Sequence, residues 1–194
     1  MKNMKIINNC GNDLLILIND ILDISKIEAG ELSISLSKIN LYELIENLVL
    51  DMQPLANEKG LILNYNSNLN ELFLLSDSNR IKQIIRNLMS NAIKFTDNGI
   101  IKIILEENAN DITIKVIDEG IGISKEKLGY IFERFKQADG STTLKYGGTG
   151  LGLAISKELA SLLGGEIKAF STLGQGSTFE LILPKKTNIK NISD

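Results

Sequence analysis

The chain has 194 residues, a formal net charge of −3 and 43% hydrophobic residues, which is enough apolar material for one domain with a sizeable core. This charge balance lacks the basic footprint that nucleic-acid binding requires, so we expect no nucleic-acid partner. The absence of histidine from the sequence excludes histidine metal ligands, Ser-His-Asp catalysis and a phosphohistidine within this chain. The single cysteine, Cys10, excludes an internal disulfide and is typical of a reducing compartment.

The N-terminal segment, residues 3–29, is predicted to be one helix, which Gly30 ends. Its apolar residues recur at spacings of three and four and form a long, narrow stripe: Leu14, Leu17, Ile18, Ile21, Leu22 and Ile24. Such a stripe favours a coiled-coil or bundle partner, although a helix docked on its own domain is the alternative. No apolar run approaches the roughly 20 residues of a membrane span, and Met1–Gly11 is too polar for a signal peptide. We therefore expect a cytoplasmic chain, whose parent protein could still be membrane-anchored.

The remaining sequence mixes strands and helices. Alternating or β-branched runs predict strands at 32–36, 61–66, 72–75, 100–106, 112–118, 166–171 and 177–183. Helical spacing and capping residues predict helices from Asn40 to about Lys59, Ser78 to about Phe95, Ser124 to Phe132, and Gly150 to Leu163. Residues 136–149 are predicted to be a mobile loop, and 185–194 a disordered tail or linker. Because several strands are joined by short turns, the pattern favours an α+β fold, a mostly antiparallel sheet covered by helices on one face.

The helix predicted at 78–95 carries two asparagines where better helix formers are expected. At about 100° per residue its apolar residues fall on one arc, and five polar residues fall on a narrow opposite stripe: Arg80, Gln83, Asn87, Asn91 and Lys94. A solvated face is the usual explanation of such a stripe. Asparagine is nevertheless a poor choice for an exposed helix interior. An asparagine oxygen can bind Mg²⁺ and a lysine can contact phosphate, so the stripe also fits a ligand-facing surface.

The strand predicted at 112–118 ends on an acidic residue aimed at the core. Ile112, Ile114 and Val116 share one face, and Asp118 continues that face. A buried carboxylate is costly unless it accepts hydrogen bonds, and the amino group of adenine is a suitable donor. Gly120 and Gly122 follow at once and allow the backbone to approach a planar ring. A strand end with an Asp-initiated turn is the equally simple alternative.

A glycine-rich segment, residues 147–153, opens into the predicted helix at 150–163. Backbone amides and the helix dipole at such an end favour phosphate, but the Lys-Ser/Thr of a Walker A loop is missing. Just upstream, Phe132 and Phe135 can anchor the base of the loop. Arg134 between them could reach a γ-phosphate, or the segment could serve apolar anchoring alone.

Four segments stand in one order: Asn-Leu-Met-Ser-Asn-Ala-Ile-Lys-Phe-Thr (87–96), Asp-Glu-Gly-Ile-Gly-Ile (118–123), Phe-Glu-Arg-Phe (132–135) and Gly-Gly-Thr-Gly-Leu-Gly-Leu (147–153). Together they resemble the N, G1, F and G2 boxes of histidine kinases, in the superfamily shared with DNA gyrase, MutL and the heat-shock chaperones. The resemblance implies a two-layer α/β sandwich preceded by one N-terminal helix. Residues 18–30 further resemble the end of the second helix of the kinase dimerisation hairpin, whose first helix would carry the phosphoacceptor histidine.

The resemblance implies a role for individual residues. Asn91 resembles the Mg²⁺-binding asparagine, Lys94 a nearby phosphate contact, and Asn87 lines the same pocket. Together with Arg134, these three residues are the expected catalytic residues. The loop that closes over the phosphates corresponds to Gly148, Thr149, Gly150, Leu151 and Gly152. Asp118 resembles the aspartate that recognises adenine, and Gly120 and Gly122 would lie beside the base. Thr178 resembles a threonine that joins the water network around that aspartate. The ligands implied are ATP and Mg²⁺.

Position 87 discriminates within the superfamily. Its ATP-hydrolysing members have a glutamate one turn before the magnesium asparagine, whereas this chain has Asn87, and an amide is no general base. We therefore expect slow hydrolysis and catalysis of transfer to a histidine outside this chain, because phosphoryl transfer needs mainly positioning and charge neutralisation. An inactive nucleotide-binding signalling module is the main alternative. An ATPase of the gyrase kind is disfavoured by Asn87, and an anti-sigma serine kinase by the helix at 3–30.

The predicted organisation is a dimerisation-hairpin remnant at 1–31, an ATP-binding catalytic domain at 32–184, and a tail at 185–194. Without a histidine this chain is expected not to autophosphorylate. The partners implied by the resemblance are ATP, a phosphoacceptor histidine hairpin and a response regulator. The intact protein is expected to form a homodimer through the N-terminal helix.

Overall fold

A computed structural model describes residues 2–135 and 150–185, without the side chains of residues 2–10, 12, 13 and 16. Its helices are α1 Lys2–Glu28, α2 Leu41–Glu58, α3 Ser78–Phe95, α4 Lys125–Leu128 and α5 Gly152–Leu162. Its strands are β1 Ser37–Asn40, β2 Ile62–Ser67, β3 Phe73–Ser76, β4 Ile100–Glu107, β5 Asp111–Asp118, β6 Glu166–Thr172 and β7 Gly176–Pro184. They divide into two compact units, one up to Ser33 and one from Ile34 onward.

The first unit contains α1, the predicted N-terminal helix. Six of its apolar side chains are between 37% and 59% exposed: Leu14, Leu15, Leu17, Ile18, Ile21 and Leu22. Within the ranges that the structure describes, no helix is both long enough and apolar enough to cross a bilayer.

The second unit is built on a five-stranded sheet with the strand order β2-β4-β5-β7-β6. Only the β2–β4 pair is parallel, and β1 and β3 form a separate antiparallel pair. Period-two alternation buries one face of the sheet, where the β5 residues 112, 114 and 116 lie opposite the β7 residues 183, 181 and 179. Helix α3 packs against α2, α5 and this sheet. The predicted α+β class, a mostly antiparallel sheet with helices, is confirmed.

Three predicted element boundaries were wrong. Residues 32–36 pair with no strand: their neighbour β3 has only four residues, and these are in register with Ser37–Asn40. The predicted helix at 124–132 ends at Leu128, and residues 129–132 continue as turns; Gly129, at this boundary, is a poor helix former. The helix predicted from Gly150 begins at Gly152, because Gly150 has a left-handed φ of 72°.

Helix α3, which carries the polar stripe, is held at both ends. At its N-terminus the buried Asp77 caps two first-turn amides at 2.9 and 3.1 Å. At its C-terminus the ammonium of Lys59, just beyond α2, donates to the carbonyls of Ile93 and Lys94 at 2.7 and 2.8 Å. A cation at a helix C-terminus is also favoured by the helix dipole. The position of the stripe is therefore fixed by contacts that come from outside the helix.

Candidate functional site

The polar stripe of α3 lies on a partly sheltered surface. All five of its members are half-buried: Arg80, Gln83, Asn87, Asn91 and Lys94. By contrast, Lys82 and Arg86 on the outer side of the same helix are exposed. Burial lowers the pKa of Lys94, whose ammonium lies 4.9 Å from the centre of the Phe95 ring. A freely solvated face would leave these side chains exposed, so neighbouring parts of the domain cover the stripe in part.

The end of β5 places Asp118 inside the domain. Its side chain is 6% exposed, which confirms the orientation that the alternation of β5 predicted. Its Oδ1 accepts a hydrogen bond from the Gly120 amide at 2.9 Å, and the Ser177 amide also donates to the carboxylate. Burial raises the pKa of Asp118, and the two amide hydrogen bonds oppose that shift. A carboxylate has about four acceptor positions, so these two amides leave capacity for a further donor.

The loop after Asp118 is fitted between α3 and β6. A Cβ at Gly120 would overlap the carbonyl oxygen of Phe95, the last residue of α3. A Cβ at Gly122 would overlap the carbonyl oxygen of Thr172, and its φ of 67° is one that side chains rarely allow. These two glycines therefore allow the loop to lie directly against its neighbours and fix the direction in which it leaves Asp118.

The β6–β7 hairpin contributes two serines that sequence reasoning missed. Ser177 lies directly opposite Asp118 in the β5–β7 pair, and its hydroxyl lies 2.9 Å from that of Ser171. The Ser171 hydroxyl accepts the Ile123 amide at 2.8 Å, which ties the hairpin to the glycine loop. The period-two alternation of β7, with its core residues at 179, 181 and 183, would have predicted that residue 177 faces inward.

Thr178, by contrast, is not brought to Asp118. It pairs with Ile117, and directly opposed side chains share one face of a sheet. Asp118 and Ser177 therefore lie on the inner face, and Ile117 and Thr178 on the outer face. The hydroxyl group nearest to the Asp118 position in the strand register belongs to Ser177.

The predicted phosphate-loop residues are described only at the two ends of the loop. Gly148 and Thr149 lie outside the described residues. The Phe135 amide donates to the carbonyl of Gly150 at 3.1 Å and thereby joins the two ends of the segment between them. Arg134 is half-buried at one of these ends. Leu151, at the other end, is fully buried and leads into α5.

Helix α5 begins beside the α3 stripe. Its N-cap residue, Leu151, forms no side-chain capping hydrogen bond. The first turn of α5 contacts Asn87, since a Cβ at Gly152 would overlap the Asn87 carboxamide. A positive helix end therefore lies next to Asn87 of the stripe, and such an end favours anions. The fold is an α/β sandwich in which a buried carboxylate and an anion-favouring helix end belong to the same domain.

Comparison with known proteins assigns the family. A family model described as histidine kinase-, DNA gyrase B-, and HSP90-like ATPase matches residues 76–187. Over 190 residues the chain is 45% identical to hybrid signal transduction histidine kinase L of Dictyostelium discoideum, covering 94% of this chain and 11% of that protein. The chain belongs to this ATPase family and contains the ATP-binding catalytic domain of a histidine kinase.

Two solved structures extend the similarity to the fold. Full-length ShkA in complex with AMPPNP matches with a TM-score of 0.85 and 30% identity, over 97% of this chain and 39% of that one. The histidine kinase ThkA in complex with the response regulator protein TrrA matches with a TM-score of 0.75 and 25% identity, over 96% of this chain and 51% of that one. The chain thus corresponds to only a part of each of these kinases.

Proposed function

We propose that this chain binds Mg-ATP and transfers the γ-phosphoryl group to a histidine outside the chain, as the catalytic part of a two-component sensor kinase. The observation that carries the proposal is the buried Asp118 at the end of β5, 6% exposed and held by backbone amides. The carboxylate of Asp118 can still accept a hydrogen bond from the amino group of adenine. Gly120 leaves the loop beside this carboxylate without a side chain.

The residues of α3 fit the phosphates and a magnesium ion. The amide oxygen of Asn91 is a ligand that Mg²⁺ accepts, and Lys94 is a half-buried cation whose pKa burial lowers. In the part of the chain that the structure describes, no cluster of three or more acidic, histidine or cysteine residues could hold a metal. Magnesium would therefore be held by Asn91 together with phosphate oxygens and water, and would neutralise charge on the phosphates.

The residues of the α3 stripe and Arg134 support transfer of the phosphoryl group rather than its hydrolysis. In the transfer, an imidazole nitrogen forms a bond to the γ-phosphorus while the bond to the bridging oxygen breaks and ADP leaves. Lys94 would neutralise developing charge, and the half-buried Arg134 is a candidate for the same role. Asn87 cannot act as a general base toward water, which keeps hydrolysis slow.

The phosphoacceptor histidine is proposed from the amino-acid composition, and the response regulator is proposed from a similar kinase. The sequence contains no histidine, so the acceptor must lie elsewhere, in a histidine hairpin of the same or another protein. The exposed apolar stripe of α1 supports homodimerisation through that helix in the intact protein. A response regulator as the final acceptor is proposed from the ThkA–TrrA complex. ATP and a response regulator as partners support a cytoplasmic location.

The test is a phosphotransfer assay with the chain, labelled ATP, Mg²⁺ and a purified hairpin that contains the acceptor histidine. We expect label on the hairpin, little release of free phosphate, and clearly weakened binding and transfer in the Asp118→Asn variant. Nucleotide binding without transfer would instead identify an inactive nucleotide-binding signalling module. No binding of ATP would refute the proposal.

A further inference from the structure

One member of the α3 stripe is engaged with α5. The Asn87 carboxamide donates from Nδ2 to the hydroxyl of Ser156 at 2.9 Å. Ser156 is 2% exposed and lies inside the α3–α5 contact. A buried hydroxyl needs a hydrogen-bond partner, so this contact constrains both side chains. Asn87 thus donates one of its two amide hydrogens to a neighbouring helix.

The same carboxamide also packs on the first turn of α5. A Cβ at Gly152 would overlap Asn87 Oδ1 and would lie 3.0 Å from Asn87 Cγ. Gly152 and Ser156 are four residues apart and share one face of α5. The Asn87 side chain therefore lies across that turn, with Gly152 at one end and Ser156 at the other.

The first turn of α5 lies beside the α3 stripe, which contains the proposed phosphate and magnesium residues. Asn91 follows Asn87 by one turn of α3, and Lys94 follows by two. The first-turn amides of α5 and the stripe of α3 thus form two sides of the region proposed to hold the triphosphate. The Asn87–Ser156 hydrogen bond joins these two sides directly.

We propose that Asn87 is a positioning residue, which holds the first turn of α5 against α3 and acts on the phosphates only through α5. This inference rests on the proposed function and revises the catalytic role that the sequence predicted for Asn87. An amide suits the role because it presents a donor and an uncharged oxygen in one plane. A carboxylate here would place negative charge beside the phosphates.

The test compares Asn87→Ala, Ser156→Ala and the double variant in titrations with a non-hydrolysable ATP analogue and with adenosine. Each single variant should weaken binding of the ATP analogue by a similar factor, about 2- to 10-fold, since one hydrogen bond is lost. The double variant should be no weaker than either single variant, and adenosine binding should be unchanged. Amide hydrogen exchange over residues 152–156 should become faster in each variant. Ser161→Ala, at an exposed position of α5, is the matched control.

A second pair of variants keeps the test valid if Ser156→Ala does not fold. Gly152→Ala should weaken binding of the ATP analogue in the parent chain, because its Cβ displaces the Asn87 carboxamide. In the Asn87→Ala background the same change should cause no further loss, because the obstructing side chain is gone.

The outcomes separate this inference from the proposed function. If Ser156→Ala binds the ATP analogue as the parent does while Asn87→Ala loses it, Asn87 contacts the nucleotide directly and the positioning role is overturned. The role is also overturned if adenosine binding falls in parallel with binding of the ATP analogue. If the parent chain binds no ATP analogue at all, the proposed function itself fails.

Discussion

Replacing Asp118 by asparagine should change which base the domain prefers. The substitution preserves the shape of the side chain and can preserve the hydrogen bond from the Gly120 amide, now 2.9 Å long. It removes a charged acceptor for the adenine amino group. Hydrogen bonds to charged groups contribute about 1.5–3 kcal/mol, and a site only 6% exposed weakens competition from water. The dissociation constant for an ATP analogue should therefore rise about 10- to 150-fold.

The new amide should at the same time improve binding of a 6-oxo purine. Asparagine can donate to the carbonyl of inosine, which a carboxylate repels. Calorimetric titrations with the ATP analogue and with ITP, on both chains, measure the two effects. Thr113→Val, at an equally buried position of β5, controls for general damage to the strand. Equal losses for both nucleotides, or an equal loss in the Thr113 variant, would refute base recognition by Asp118.

Three further predictions concern the same domain. Because burial raises the pKa of Asp118 above its ordinary value of 3.8, the folded chain binds that proton more tightly, and stability should fall as pH rises from 3.8 through the folded pKa. The Asp118→Asn chain without nucleotide should lack this decline in its melting temperature, and identical pH profiles would contradict the prediction. Ser177→Val should weaken binding of the ATP analogue by roughly tenfold, while Thr178→Val should have little effect, because only Ser177 shares a face of the sheet with Asp118. A larger loss in the Thr178 variant than in the Ser177 variant would contradict this prediction. Asp77→Ala should cost about 2 kcal/mol in urea unfolding through loss of the α3 cap, and a change under about 0.5 kcal/mol would argue against a stabilising cap.

Much of the site could be predicted from the sequence because its placement is local. The stripe of Asn87, Asn91 and Lys94 follows from helical spacing alone. The inward position of Asp118 follows from the alternation of Ile112, Ile114 and Val116. Both predictions rest on the periodicity of neighbouring residues, and the observed burial agrees with them.

Long-range pairing decided the features that sequence reasoning missed. The segment 32–36 has the alternation of a strand, but β3 is too short to pair with it. The register of β5 and β7 places Ser177, and not Thr178, opposite Asp118. Residues 118 and 177 are nearly 60 positions apart in the sequence, so no local pattern could have predicted this pair.

The amino-acid sequence by itself determined the types of most elements, the faces they present and the order of the four motifs. Only the tertiary structure decided which side chains of different elements meet, such as Asn87 with Ser156 and Gly152. The physical reason is that periodicity fixes the direction of a side chain relative to its own helix or strand. The atom it meets depends on the packing of elements distant in sequence, which no local pattern specifies.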